Sequence, residues 1–434
     1  MVGELLPLWM FLVLTVLLIA GFPVAFTLLG TSFVFGLIGF GWNFFHLLPL
    51  RIWGIMTNAT LMAVPLFVFM GVMLERSGLA ERLLDAMGML FGRMRGGLAV
   101  SVVVVGALLG ASTGIVGATV VTMGLLAVPV MLKHGYEKGL ACGTVAAAGT
   151  LGQIIPPSIV LILIGDIVGV PVGDLFLGAV LPGLVLVGLY IIYIVVWAAC
   201  YPQKAPAVVG DGGRVVSWGA VGRALAPPLV LMVAVLGSLF AGIASPTEAA
   251  AVGAVGAAVL AAGAGRLTLR MVDEVGRATM QLTSMVFIIL VGAAAFGLVF
   301  RGTGGDELVR GALHSLSRGL GPWSVLAMVM AFIFVIGFFL DFIEITFIHV
   351  PVLAPIMIDL GIDPVWLCIL IAVNLQTSFL TPPFGFSLFY LRAVAPPGVT
   401  TAHVYRGVVP FVLLQLVGLL VIALFPGLVS CFLD

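Results

Sequence analysis

The stretch GTLGQIIPPS, residues 149–158, interrupts a long apolar segment with two glycines, a glutamine and a double proline. In the hydrocarbon core of a bilayer an unpaired backbone group is costly, so a helix break persists there only where protein or a water-filled cavity satisfies it. Pro156 and Pro157 supply no amide donors and disfavour helix in the preceding residue, which frees upstream carbonyl groups. The stretch therefore predicts a broken membrane helix and a candidate binding site.

The composition of the chain is that of a helical membrane protein. Of its 434 residues, 62% are hydrophobic and 8% are charged, whereas an ordinary soluble domain has roughly 25% charged residues. The formal net charge is zero, which excludes the basic surface expected of a nucleic-acid-binding protein. The four cysteines lack C-x-x-C spacing, which argues against a metal site or a disulfide framework. No basic segment precedes the first apolar run, so we expect that run to stay in the bilayer.

Several apolar runs approach the roughly 20 residues that a helical crossing needs. Two further apolar segments, 97–132 and 322–358, are bent at their centres by small or charged residues and predict re-entrant helical hairpins. The predicted loops place fourteen basic residues on one side and four on the other, so the positive-inside rule predicts that both termini are outside. The ten predicted crossings are 5–20, 23–40, 57–75, 138–168, 175–200, 222–243, 248–264, 281–300, 364–392 and 406–428.

The chain also repeats itself. The constant shift in sequence that carries Pro156 onto Pro382 also places Pro129, Gly135 and Cys142 on identical residues, and we call this shift the repeat offset. The first repeat covers 1–200 with hairpin 97–132 and broken helix 138–168, and the second covers 222–434 with hairpin 322–358 and broken helix 364–392. Residues 201–221 are the predicted linker. An odd number of crossings separates equivalent points, so the copies enter the membrane from opposite faces, as in secondary transporters.

The breaks and the hairpin tips carry the candidate site. Freed carbonyl groups and threonine hydroxyls form an all-oxygen environment that suits sodium, while helix ends at the tips favour ions of opposite sign. An acid buried in a membrane segment predicts a functional role. The candidate ion- and substrate-binding residues are Ser112, Thr113, Gly114, Gly149, Thr150, Gly152, Pro156, Pro157, Asp341, Glu344, Asn374, Thr377, Thr381, Pro382 and Pro383.

Structural interpretations compete with these assignments. A single proline or glycine in a membrane helix is commonly a kink or a packing notch, and an acid at a hairpin tip also serves to pair an arginine or a helix N-terminus. His349 is interpreted as a packing histidine, and Asp166 as a solvated acid at a loop. Residues 76–95 alternate basic and apolar side chains at helical spacing, which predicts an interfacial amphipathic helix with a counterpart at 302–318.

A hydrolase and a channel are the rival classes. GASTG at 110–114 matches the G-x-S-x-G pattern, with His349 as the available base. A nucleophile elbow requires a strand-to-helix turn, however, and Ser112 lies between two predicted helical arms. Paired broken helices favour an occluded site over a continuous pore. We therefore expect no catalytic residues and no enzyme activity.

Four segments together carry a family resemblance: GTLGQIIPPS, SPTEAAAVGAV at 245–255, FLDFIEITFIHVPVLAPIMIDLGIDP at 339–364 and VNLQTSFLTPPFGFSLF at 373–389. Together they resemble the large membrane subunit of tripartite ATP-independent periplasmic (TRAP) transporters. The resemblance implies sodium-driven import of an organic acid, such as a dicarboxylate, across a bacterial cytoplasmic membrane by an elevator movement. It implies no cofactor beyond the coupling sodium ions. A stand-alone anion symporter of the same superfamily is the alternative.

The resemblance also implies partners and sodium positions. The expected partners are a small four-helix membrane subunit, present as a separate chain, and a soluble extracytoplasmic binding protein that delivers the substrate. One departure from the family pattern is the tip sequence LDFIEIT, in which Phe342 and Glu344 replace small residues and alter the substrate cavity. The residues that match the family's sodium positions are Ser112, Thr113, Gly114, Thr150, Gly152, Asp341, Thr377 and Thr381.

Overall fold

A computed structural model describes residues 5–114, 116–208, 218–382 and 385–433 of the chain. Within these ranges every regular element is a helix. Seven helices are long and apolar enough to cross a membrane, and two bent helix pairs pass the same test. The chain is therefore an all-helical, multi-pass membrane protein, as its composition predicts.

In the described part of the first half there are ten α-helices, with short 3-10 turns at Gly41–Asn43 and Leu151–Gln153. All of the crossings predicted in this half contain a helix or a broken helix pair. The bounds are α1 (Leu6–Ile19), α2 (Val24–Phe40), α3 (Phe44–Met56), α4 (Ala63–Arg76), α5 (Leu79–Phe91), α6 (Gly97–Thr113), α7 (Val116–Lys133), α8 (Lys138–Thr150), α9 (Ile159–Val168) and α10 (Val172–Cys200).

The second half follows the order of the first at the repeat offset. Thus the bounds of α6 fall on those of α15, and the bounds of α8 fall on those of α18, within a few residues. The inverted orientation of the two halves stays a prediction. The bounds are α11 (Trp218–Phe240), α12 (Pro246–Gly263), α13 (Leu269–Gly302), α14 (Gly305–Leu320), α15 (Pro322–Ile336), α16 (Phe342–Ile348), α17 (Val350–Asp359), α18 (Pro364–Leu380), α19 (Phe386–Val394), α20 (Thr401–Leu424) and α21 (Gly427–Ser430).

Several boundaries differ from the sequence prediction; helix α13, for example, begins at Leu269 and not at 281. Helix α3 lies between predicted crossings, because His46 and Arg51 lower the hydropathy of its segment. The predicted linker 201–221 is shorter than expected, since α11 already begins at Trp218. The linker's first residues run along the first hairpin segment, where the Gly96 amide donates to the Ala205 carbonyl at 2.9 Å.

The two predicted hairpins correspond to helix pairs of different shape. In the first, α6 and α7 pack together and α6 is followed by Gly114, whose φ of 61° favours glycine. In the second, the arm after the tip is divided into α16 and α17, which meet at an angle of 56°. Whether these arms are re-entrant stays a prediction.

The two predicted amphipathic helices are α5 and α14. A bend of 61° at Gly78 separates α5 from α4, and Gly304 occupies the equivalent place between α13 and α14. Both glycines have left-handed φ values, 73° and 83°, which side chains other than glycine adopt at a cost. Each half thus carries one amphipathic helix that begins directly after a left-handed glycine.

Candidate functional site

The first break has the form that its sequence predicts. Helix α8 ends at Thr150, a 3-10 turn follows, and the next helix begins at Ile159. Ser158 caps that helix: its hydroxyl accepts from the Leu161 amide at 3.4 Å and donates to the Gln153 carbonyl at 2.5 Å. Pro156 and Pro157 are buried within the protein. The interruption is therefore a packed feature of the protein interior and not a kink exposed to lipid.

The end of α6 lies directly against this break. A methyl group built on Gly152 would stand 2.6 Å from the Gly110 carbonyl oxygen, and one built on Gly114 would stand 3.1 Å from the Ile159 side chain. Only glycine allows two backbones to approach so closely. The side chains of Ser112 and Thr113 lie outside the described residues. The structure therefore brings together Gly114 and Gly152 from the predicted set, with Gly110 beside them.

The Thr150 side chain has partners of its own. Its hydroxyl donates to the Ala147 carbonyl at 2.8 Å and accepts from Gln415 Nε2 at 3.4 Å. Gly149 packs against Val120 of α7. Sequence reasoning missed Gln415, because a glutamine in the middle of an apolar helix reveals its partner only once the helices are packed.

The second break lies between α18 and α19. The Thr377 hydroxyl donates to the Val373 carbonyl at 2.8 Å, and the Thr381 hydroxyl donates to the Thr377 carbonyl at 2.7 Å. Both threonine oxygens keep lone pairs for another ligand. Pro382 forms part of a turn, whereas Pro383 lies outside the described residues. Thr377 and Thr381 therefore place two hydroxyl oxygens at the end of α18.

Asn374 connects the second broken helix to its hairpin segment. Its Nδ2 atom donates to the Met330 carbonyl of α15 at 2.8 Å. On the same helix as Asn374, the Ser378 side chain packs directly against Gly337, which follows α15. The amide of Asn374 is thus occupied by a contact between helices.

Asp341 and Glu344 form a capping box at the start of α16. The Asp341 carboxylate accepts from the Phe342 amide at 2.6 Å, and the Asp341 amide donates to Glu344 Oε2 at 3.2 Å. Within the described ranges neither acid pairs with an arginine, and Arg392 instead donates to the Val399 carbonyl at 2.8 Å. Each carboxylate retains acceptor capacity beyond the cap, so capping and ion binding are compatible.

A cavity of about 200 Å³ lies between α13 and the segments α9, α16 and α17. Its charged lining residues are Arg301 and Asp306, and the rest of its wall is mainly apolar. Burial raises the pKa of Asp306 above its ordinary value, while Arg301 and Arg310 act to lower it. The sequence does not reveal that Arg301 lines a cavity, because the cavity depends on helices distant in sequence.

A second cavity, of about 510 Å³, lies under α5 and is lined by Asp85, Arg93 and His134 among others. None of its lining residues belongs to a break or to a hairpin tip. The smaller cavity beside Arg301 also lacks lining residues from the breaks and tips, but its wall includes α16 and α17, the helices that follow the second tip.

Two sequence interpretations of single residues have contrasting outcomes. Asp166 was expected to be a solvated loop acid, but it lies within α9, where its carboxylate accepts from Asn58 Nδ2 at 2.7 Å. His349 packs against Phe11 and Phe332 at ring-centroid distances of 5.9 and 5.6 Å, as expected of a packing histidine. The G-x-S-x-G match ends helix α6 and does not follow a strand.

Comparison with known proteins agrees with this architecture. Residues 11–428 match the model of the DctM component of tripartite ATP-independent periplasmic transporters. The chain is 34% identical to a Pseudomonas aeruginosa C4-dicarboxylate TRAP transporter large permease, over 88% of this chain and 87% of that one. It is 31% identical to the Ruegeria pomeroyi ectoine/5-hydroxyectoine large permease, over 98% of this chain and 97% of that one.

The fold also resembles a solved transporter. The crystal structure of the Alcanivorax borkumensis YdaH transporter matches 96% of this chain and 98% of that chain with a TM-score of 0.67, at 16% sequence identity. At this identity the likeness concerns the fold alone. The relatives are named as transporter permeases and not as enzymes. This agrees with the prediction from the sequence that the chain has no enzyme activity. The chain belongs to the DctM family, the large membrane component of tripartite ATP-independent periplasmic transporters.

Proposed function

We propose that this chain is the large permease of a sodium-coupled transporter that imports a small organic acid. The observation that carries the proposal is the packing of a hairpin segment against a helix break: Gly110 contacts Gly152 in the first half, and Gly337 contacts Ser378 in the second. Helix ends and released carbonyl groups therefore lie together inside the protein, where an ion can replace their missing partners.

Sodium is the coupling ion that suits these groups. The ligands on offer are backbone carbonyls near Gly152, the hydroxyls of Thr377 and Thr381, and the carboxylate of Asp341, all of which are hard oxygen donors. The side-chain hydroxyls of these threonines already donate to helix carbonyls, so their free lone pairs point away from the bonds they donate. A weakly polarising cation accepts such a set.

The substrate is an organic acid with at least one carboxylate. Relatives of similar identity are permeases for a C4-dicarboxylate and for ectoine/5-hydroxyectoine, which share a carboxylate and differ elsewhere. The cavity beside Arg301 offers a guanidinium, which binds a carboxylate through two parallel hydrogen bonds. Its volume of about 200 Å³ suits a small molecule.

The remaining parts of the proposal follow the family. The permease works in a bacterial cytoplasmic membrane with a small four-helix membrane subunit and a soluble extracytoplasmic binding protein. The hairpin segments and broken helices move together against the other helices in an elevator movement. In this proposal the helices α5 and α14, each of which follows a left-handed glycine, brace the moving part.

Reconstitution tests the proposal. Proteoliposomes containing the permease and the small subunit should take up a labelled C4-dicarboxylate or ectoine only with an inward sodium gradient and a loaded binding protein. Uptake that is unchanged when potassium replaces sodium would contradict the coupling. Uptake of free substrate without any binding protein would instead favour the stand-alone symporter.

A further inference from the structure

Four uncharged polar side chains from four helices converge in the interior of the protein. They are Thr150 of α8, Tyr190 of α10, Gln376 of α18 and Gln415 of α20, and each is 0% exposed to solvent. We call this cluster the polar joint. A tyrosine and two glutamines are rarely buried so completely unless their polar atoms have partners.

Direct hydrogen bonds within the polar joint are incomplete. Gln415 donates to the Thr150 hydroxyl at 3.4 Å, and Thr150, Gln376 and Gln415 all surround the Tyr190 hydroxyl. Tyr190 Oη, both amide atoms of Gln376 and Gln415 Oε1 have no hydrogen-bond partner among the described residues.

The repeat explains why these residues meet. Thr150 and Gln376 are equivalent at the repeat offset, and both precede a helix break. Tyr190 and Gln415 come from α10 and α20, the equivalent helices that follow the two broken ones. The polar joint therefore links the two breaks to each other through one helix from each half.

We propose that the polar joint holds ordered water and that the Tyr190 hydroxyl is a positioning group that sets the geometry of both breaks. Buried polar groups that lack a direct partner commonly bond to ordered water molecules, each of which makes about three hydrogen bonds. A water that contacts Tyr190, Gln376 and Gln415 completes their bonds and transmits the position of one break to the other. Because the proposed sodium ligands follow Thr150 and Gln376, the inference rests on the proposed function.

Tyr190→Phe tests the role of the hydroxyl while keeping the ring. The matched control is Tyr193→Phe, since both rings pack against Phe411 at a centroid distance of 5.2 Å. We expect the sodium concentration that gives half-maximal thermal stabilisation of the purified complex to rise at least threefold for Tyr190→Phe. Tyr193→Phe should leave it unchanged, and the maximal uptake rate should change less than the sodium half-saturation in both variants.

Gln415→Leu gives an independent test of the same network. If the two side chains share water, Gln415→Leu should raise the sodium half-saturation like Tyr190→Phe, and the double variant should be no worse than either single one. Additive effects, or a sodium half-saturation equal to that of the Tyr193→Phe control, would overturn the inference. Should Tyr190→Phe fail to fold, Gln415→Leu alone carries the same expectation.

Failure of the proposed function has a different signature. If the unmodified protein shows no sodium response, coupling to sodium is wrong, whereas non-additive loss of melting temperature in the two variants would still support the hydrated joint. A high-resolution structure gives the final check: density for water between Tyr190 Oη and Gln376 supports the inference. A direct bond between these side chains overturns it.

Discussion

At the first break, Gly110 and Gly152 bring two backbones into contact, whereas at the equivalent place in the second half Gly337 packs against the side chain of Ser378. Ser378 is equivalent to Gly152 at the repeat offset, and Gly337 lies one position beyond the equivalent of Gly110. The two halves therefore preserve a close approach of hairpin segment and break, although one uses two glycines and the other a glycine and a serine.

The two hairpin tips also differ in the chemical groups that they carry. The first tip ends in a left-handed glycine, Gly114, which is buried. The second begins a helix with Asp341 and Glu344, which cap one another. Among the described residues, the first tip thus offers glycine backbone, while the second tip offers side-chain carboxylates. Equivalent positions of the two halves therefore share backbone geometry more closely than they share side-chain chemistry.

The backbone contact of the first half gives the largest expected effect. In Gly152→Ala the new methyl group would lie 2.6 Å from the Gly110 carbonyl oxygen, and the atoms it meets are backbone. Overpacking of this kind costs about 1–3 kcal/mol. We expect a clear drop in melting temperature in detergent. If displacement of the break also weakens sodium binding by about 1.4 kcal/mol, uptake at limiting sodium falls to about a tenth.

Two variants control this prediction. Gly188→Ala on α10 places its methyl group in open space and should leave stability and uptake unchanged. Ser378→Ala removes a hydroxyl that donates to the Leu375 carbonyl at 2.9 Å, which is worth about 1 kcal/mol. If Gly152→Ala behaves like Gly188→Ala, the close approach of the two backbones is wrong.

The acidic tip gives the next largest effect. Asp341→Asn keeps a good N-cap residue for α16 but removes the charge that we assign to sodium binding. We expect the sodium half-saturation of uptake to rise about tenfold, a change of about 1.4 kcal/mol, with little change in melting temperature. Sodium-dependence curves of uptake in proteoliposomes measure this.

The control uses the other acid-containing capping box. Glu248 caps Ser245 at the start of α12, where Ser245 donates to it at 2.7 Å. Glu248→Gln should leave the sodium half-saturation unchanged. If Asp341→Asn also leaves the sodium half-saturation unchanged, Asp341 serves only as a helix cap and not as a sodium ligand.

The sequence predicted the positions of both breaks because proline and glycine act locally, and the repeat offset carried the helix order from one half to the other. The partners of single side chains were harder to predict. Asp166 was misinterpreted because its partner Asn58 lies 108 residues away. The bond from Gln415 to Thr150 spans 265 residues. Contacts between distant segments are decided by helix packing, which no local pattern reports.

Gly78 and Gly304, the left-handed glycines that precede α5 and α14, give a smaller effect. A methyl group on Gly78 would lie 2.8 Å from the guanidinium carbon of Arg266, whereas one on Gly304 meets no atom within 4 Å. Left-handed backbone costs a non-glycine residue roughly 1–2 kcal/mol. We expect Gly304→Ala to lower stability by about 1 kcal/mol and Gly78→Ala to lower it by a few tenths more.

Arg266→Ala isolates the cause of that difference. Arg266 also pairs with Glu81 at 3.9 Å, but both side chains are largely exposed, so the ion pair itself contributes little. In the Arg266→Ala background the two glycine variants should cost the same, as measured by thermal melting. A difference that survives there would place the asymmetry elsewhere in α4 and α5.

The smallest effect concerns Asp306, whose equivalent in the first half is the buried Ala80. Burial raises the pKa of Asp306 above its ordinary value of 3.8, so the folded state holds its proton more readily than the unfolded state. The contribution of Asp306 to stability is therefore present below pH 3.8 and is lost as the pH rises from there through the raised pKa of the folded state.

Asp306→Asn and Asp306→Ala should both flatten this fall in melting temperature between about pH 4 and neutrality, by no more than a few tenths of a kcal/mol, because the side chain is only half-buried. Asp306→Ala also copies the first half, so it tests whether α14 tolerates the apolar residue of α5. Because Asp306 and Arg301 line the same cavity, a rise in substrate affinity in both variants would further show that the acid opposes a negatively charged substrate. A pH profile with its slope unchanged in both variants would assign the fall to another group.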